Sequence, residues 1–311
     1  MGTALVVSGR LRNARKSISR KGDILSFCAH NPNKVLLEKV IRWLIRRGYH
    51  FISSDELLAI LKERRVTKDL VWLSFDDGWK DNLVNVIPIL EKYRIPATFF
   101  VSTGEIERGY FWFEFARQNR GCFPGPLRTL WEVSNAQRVS MIEAAEKEAN
   151  AHIVNHTLSP LDIQTLSRNP FVTFGNHTDG HAICVYCSDD ELADEIGNCS
   201  RKLHGLTGRV VRYFAYPNGD YNGRVVETAR SSGIELAATI EPRAIRIDDD
   251  LYRVPRCPML DDGGLHENLC HIFGVWQPAM RKLKHLFRGR SEDEASGGNV
   301  VSEMAHRHLP D

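Results

Sequence analysis

Two hydrophobic rhythms alternate along the chain. Short apolar runs fall at 23–27, 70–75, 97–102, 171–174, 210–216 and 236–240, and the run at 70–75 is apolar enough for a strand buried on both faces. Between the runs, apolar residues recur at helical spacing. Val35, Leu36, Val40, Ile41, Leu44 and Ile45 share one face, and Gly48 follows as a C′ residue. A second helix is predicted over 54–64, with Ser53 or Ser54 as N-cap and Glu56 in its first turn. Further helices are predicted over 81–93, 189–204 and 222–231. Strand, helix and strand in succession predict a parallel sheet with right-handed crossovers.

The rhythm stops between residues 104 and 169. An aromatic cluster, Tyr110, Phe111, Trp112, Phe113 and Phe115, leads into a Pro/Gly stretch and a predicted helix over 137–151. The cluster could stack on sugar rings, but core packing of an insertion is the preferred expectation. Three parts result: a basic leader, 1–22, expected to be disordered; an α/β domain, 23–265, with an inserted helical subdomain at 104–169; and a tail, 266–311, amphipathic and then disordered from 288.

Composition excludes more than it selects. Apolar residues make up 42% of the 311 and charged residues 26%, ordinary for a globular chain, and the net charge of +2 gives no reason to invoke nucleic acid. Seven cysteines without regular spacing suggest free thiols in a reducing compartment. Cys184 and Cys187 have CxxC spacing, but no second pair completes a zinc knuckle. No run approaches the ~18–20 apolar residues of a membrane span, and the leader lacks the order of a secretory signal. The expectation is a cytoplasmic protein without an integral membrane segment.

Two clusters carry chemistry. Asp76 and Asp77 follow an apolar strand directly and precede Gly78. Strand C-termini are where active sites of parallel α/β folds collect, although a helix cap by Asp77 or Asp81 would explain the pair alone. The second cluster, Gly175-Asn176-His177-Thr178-Asp179-Gly180-His181, also follows a short strand. Two histidines and one carboxylate make three ligands and leave a position open for water, the arrangement of catalytic zinc; surface histidines in a polar loop are the bland alternative. One divalent ion is expected, zinc by default, with manganese, cobalt or iron(II) able to occupy the same ligands. His152, His156, His204, His306 and His308 fit no ligand motif and are expected at the surface.

Taken together, the clusters resemble the polysaccharide deacetylase family (carbohydrate esterase family four, the NodB-homology domain). Ser74-Phe75-Asp76-Asp77-Gly78 is similar to its first motif, His177-Thr178-Asp179-Gly180-His181 to its second, and Phe214-Ala215-Tyr216-Pro217-Asn218-Gly219 to a variant of its third. The resemblance implies a distorted (β/α) barrel of about seven strand–helix units. It implies Asp77, His177 and His181 as metal ligands and Asp76 as general base. Pro217 and Gly219 would shape a turn that aims the Tyr216 backbone N–H at the oxyanion. The implied reaction is hydrolysis of the N-acetyl group of an amino sugar by a metal-bound water, with carbohydrate as the partner. A glycan precursor or oligosaccharide suits a cytoplasmic enzyme better than a wall polymer. The alternatives are an amidase or imidase acting on a non-sugar C–N bond, and a non-catalytic carbohydrate-binding relative.

Two departures stand out. Many relatives carry an arginine where this chain has Ala215, and Arg256 is the candidate to supply that charge from elsewhere. The late histidine that serves the family as general acid is missing, for Cys257-Pro258-Met259-Leu260 follows Arg256, and His266 and His271 come too late. His30, after the first strand, is expected to line the pocket, and the acid is left unassigned.

Overall fold

The computed structural model describes residues 3, 9–149, 155–278 and 280. His152, His306, His308 and the tail from 288 lie outside the described residues. Eight parallel strands form one sheet: β1 Leu25–Ala29, β2 His50–Ile52, β3 Leu70–Phe75, β4 Ala97–Val101, β5 Val172–Asn176, β6 Tyr213–Ala215, β7 Leu236–Ala238 and β8 Cys257–Pro258. Their order is β7-β6-β5-β4-β3-β1-β8, with β2 paired to the N-terminal half of β3. The sheet curls into an incomplete (β/α) barrel with helices outside. Its seam is bridged by one extended segment: Val254 exchanges backbone hydrogen bonds with β7, and Cys257 and Pro258 pair with β1.

Strand alternation separates two cores. On β3, Val71, Leu73 and Phe75 join the outer cluster beneath the helices, whereas Trp72 faces a second cluster with Phe100, Tyr213, Leu236 and Val254, contributed by strands from around the ring. The same parity carries Ser74 and then Asp76 to the inner side. β5 approaches β4 closely, because a Cβ on Gly175 would collide with the Phe100 ring.

Most predicted elements are present, and the differences have local causes. Ser53 caps the helix Ser54–Glu63 through a capping box with Glu56. The helix predicted over 81–93 is two pieces, Asn82–Asn85 and Ile87–Tyr93, since Pro88 has no N–H to continue the ladder. β2 and β8 were not predicted. The leader is not wholly disordered: Arg10–Lys21 is a helix with Leu11 and Ile18 buried. Nor does the packed domain stop at 265, for the helix Leu265–Ile272 buries Leu269, Cys270 and Ile272 against the outer core. The insertion is helical, and its cluster of Tyr110, Trp112, Phe115, Leu130 and Trp131 packs as a satellite core. Among the described residues no helix is long and apolar enough to cross a membrane.

Candidate active site

Every strand is parallel, so the loops that leave their C-terminal ends share one rim. After β3 the chain turns sharply, with Asp77 at φ 70° and Gly78 at φ 98°. After β5, Thr178 at φ 63° and His181 at φ 48° make a second tight loop. Non-glycine residues in the left-handed region are uncommon, and these three adjoin the predicted ligands or are among them. The second loop is fastened throughout. Asn176 Oδ1 accepts from the Thr178 N–H, Thr178 Oγ1 from Ala182 N–H, and Glu195 from Gly180 N–H. Asp179 accepts from Thr103 Oγ1 and Lys202.

The two loops bring Asp77, His177 and His181 together, each buried. Asp77 Oδ1 lies 3.4 Å from His177 Nε2 and 3.3 Å from His181 Nε2, yet among the described residues it accepts no hydrogen bond. His177 Nδ1 faces the Ala215 carbonyl oxygen at 2.8 Å, so that nitrogen carries the proton and the Nε2 lone pair faces Asp77. A buried carboxylate oxygen beside an imidazole lone pair lacks a positive partner. The edges of a tetrahedron with bonds of ~2.0–2.2 Å are about 3.3–3.6 Å, matching these separations. The donor set fits a divalent cation. Burial raises the Asp77 carboxyl; protons on the two facing imidazole nitrogens would outweigh burial and hold it well below the ordinary carboxylate range, and without them that positive charge is left for a cation to supply. Burial also depresses His181, against the pull of Asp77, and favours the neutral imidazole that a metal needs.

Asp76 is held differently. Arg256 reaches across from the seam and clamps it with both ends of its fork, Nη1 to Oδ1 at 2.7 Å and Nη2 to Oδ2 at 2.9 Å. Nη1 also donates to Ser74 Oγ, and Nε donates to the Thr239 carbonyl. Burial pushes the Asp76 carboxyl up, but Arg256, aided by His177 and His30, holds it below its ordinary value. The charge absent at Ala215 thus arrives from the segment that closes the seam. His30, just beyond β1, sits among charges: burial works against its cationic form, while Asp77, Asp261 and Asp76 raise its pKa overall.

Two expectations change. The Tyr216 N–H does not face the site; it is donated to the Ala238 carbonyl at 3.2 Å, as a continuation of the β6–β7 ladder. Pro217 is buried at the start of the following 3₁₀ turn, Pro217–Gly219. In that turn Asn218 adopts φ 57°, and its buried Nδ2 has no partner. His156, expected at the surface, is half-buried, 6.3 Å from Trp79 between ring centroids. Trp79 itself went unpredicted. Its indole N–H donates to Asp77 Oδ2 at 2.9 Å, and its ring meets Phe111 and Phe113. Its place two residues after Asp77 was the only signal. Trp112 is buried and bonded to the His181 carbonyl, whereas Phe113 is half-buried with its ring 5.1 Å from His181. Cys184 and Cys187 are buried thiols donating to backbone carbonyls, and burial pushes Cys187 up to about 12, an unreactive setting.

A sequence profile described as polysaccharide deacetylase matches residues 63–237, more than half of the chain. The chain belongs to the polysaccharide deacetylase family. As a member it is a hydrolase of the deacetylase type. It is 24% identical over 229 residues to the poly-beta-1,6-N-acetyl-D-glucosamine N-deacetylase of Staphylococcus aureus (strain MSSA476), covering 74% of this chain and 68% of that protein. Two solved structures share the fold. The Streptococcus pyogenes deacetylase PplD, in complex with acetate, superposes with TM-score 0.60 at 20% identity, covering 81% of this chain and 98% of that one. IcaB from Ammonifex degensii does so with TM-score 0.59 at 18% identity, covering 82% and 97%.

Proposed function

We propose that this family member removes N-acetyl groups from N-acetylglucosamine units of a polymer or oligomer, the substrate named for its staphylococcal relative. The observation that carries the reading is the pairing of two unlike carboxylates. Asp77 has an oxygen with no donor between two imidazoles, and its neighbour Asp76 is clamped by an arginine. Asp77, His177 and His181 would hold a divalent cation, zinc by default, which when bound polarises the acetyl carbonyl and acidifies water. Asp76 keeps two of its roughly four lone-pair sites after the Arg256 fork has taken the others, so it can receive the proton of the attacking water. Arg256 fixes the carboxylate's plane and keeps it ionised. His30, among Asp76, Asp77 and Asp261, is the candidate proton donor to the departing amine. Asn218 Nδ2, buried and without a partner among the described residues, is the side-chain donor left over in the third motif once the Tyr216 N–H is committed to the sheet. Trp79 and Phe113 form an aromatic wall beside the ligands on which a sugar ring can rest.

The test is acetate release from N-acetylglucosamine oligomers by chain stripped of metal and then reloaded with zinc. Acetate that depends on both metal and Asp76 is expected, so Asp76→Asn should lose nearly all of it. Equal release by stripped and reloaded chain, or by Asp76→Asn, would refute the proposal.

A further inference from the structure

At the opposite end of the barrel, where β1, β2 and β3 begin, a cavity of about 790 Å³ opens between the helix Arg10–Lys21 and the loops before these strands. Its lining holds five cations, Arg15, Lys16, Arg20, Arg47 and Lys68, against the one carboxylate of Asp69. Several cations elsewhere on this surface are paired, as Lys62 and Arg212 are with Glu235. None of the five has a carboxylate at ion-pair distance among the described residues. The helix adds to the imbalance, for its twelve residues include no acid. Like charges held together without counter-charge repel, and an anion relieves that repulsion. The crowding shows at Arg47, whose guanidinium rests on the Trp43 ring and is held below its ordinary pKa by burial and then by Arg15.

An independent observation comes from Tyr49 in the same lining. It is 3% exposed, and its hydroxyl makes no hydrogen bond among the described residues. Burial and then the Asp69 charge push the phenol up while Arg15 opposes, and both of those residues line the same cavity. A buried O–H without a partner costs on the order of 1–3 kcal/mol, so a ligand that shifts the wall enough to reach it gains a donor and relieves that cost. Ser19 and Thr67 contribute further hydroxyls. We infer that this cavity binds a phosphoryl-bearing ligand, with guanidinium forks, ammonium groups and the Tyr49 hydroxyl as its donors. Phosphoryl oxygens suit such a set because they accept several charge-assisted bonds at once. The site is remote from Asp76 and Asp77 and independent of the reaction proposed there.

The full chain at low salt would be titrated with inorganic pyrophosphate by calorimetry, and separately sedimented with vesicles containing or lacking phosphatidic acid. One pyrophosphate per chain is expected, weakened about tenfold or more by Arg15→Glu or Lys68→Glu. Tyr49→Phe should weaken binding while leaving the ligand-free melting temperature unchanged or raised, since it removes an unsatisfied hydroxyl. Lys147→Glu, an exposed change on the insertion, should leave affinity unchanged. Binding of phosphatidic acid vesicles alone, with the same sensitivity to these variants, would assign the phosphoryl group to a lipid head. Binding of neither probe, or equal weakening by Lys147→Glu, would overturn the inference.

Discussion

Replacing Arg256 with methionine isolates the ion pair at the centre of the site. The guanidinium makes four hydrogen bonds, two of them to Asp76, and both residues are at most 3% exposed. Methionine has the length to fill the space but leaves Asp76 charged, buried and without its partner. Removing one member of a buried pair costs about 3–5 kcal/mol, against a total stability of about 5–15 kcal/mol. In a chain of this size that lowers the melting temperature by roughly 10 °C. The double variant Asp76→Asn/Arg256→Met buries neither charge, so it should be more stable than the sum of the single losses predicts, by about 1–3 kcal/mol. Urea unfolding of wild type, both single variants and the double variant would measure this, all in chelator because a bound ion would add its own stabilisation. A loss below about 1 kcal/mol for Arg256→Met would refute the reasoning, and so would simple additivity in the double variant.

Three further outcomes are expected. Zinc added to stripped chain should raise its melting temperature, and Asp77→Asn should abolish both the rise and stoichiometric zinc in elemental analysis. Glu105 is buried, with its carboxyl raised to about 8 mainly by burial and despite Arg108. Its folded form therefore holds a proton that the unfolded form releases near the ordinary carboxylate value. Stability should fall as pH rises from that value through about 8, and Glu105→Gln should flatten this slope in urea titrations. Phe113→Ala should raise KM for N-acetylglucosamine oligomers with little loss of stability, whereas Trp112→Ala should cost about 3–5 kcal/mol in unfolding assays because that ring is core.

What the sequence shows of this protein follows the range of the interactions. The ligand motifs are local: two carboxylates at a strand end and two histidines in a seven-residue loop can be read directly, as can helices with serine caps. β2 and β8 have three and two residues, too few to display a period. The break at Val86 needed only Pro88, which a periodicity count over 81–93 passes over. The role of Arg256 is non-local: nothing near residue 256 announces a carboxylate 180 positions earlier, and it is nameable as a candidate only from the vacancy at Ala215. Tyr216 shows the converse. Its motif suggested a free N–H, but the neighbouring strand had already claimed it.

The seam has a consequence for how the molecule is made. Segment 254–258 supplies the last strand in chain order, and it carries the only guanidinium that touches Asp76 among the described residues. A nascent chain that has emerged only as far as β7 holds every proposed metal ligand and the base, but nothing to neutralise that base once it is enclosed. Enclosing Asp76 before that segment arrives would bury an unpaired carboxylate or force it to take up a proton. Closing the wall and arming the carboxylate are one event, postponed until the final strand is available.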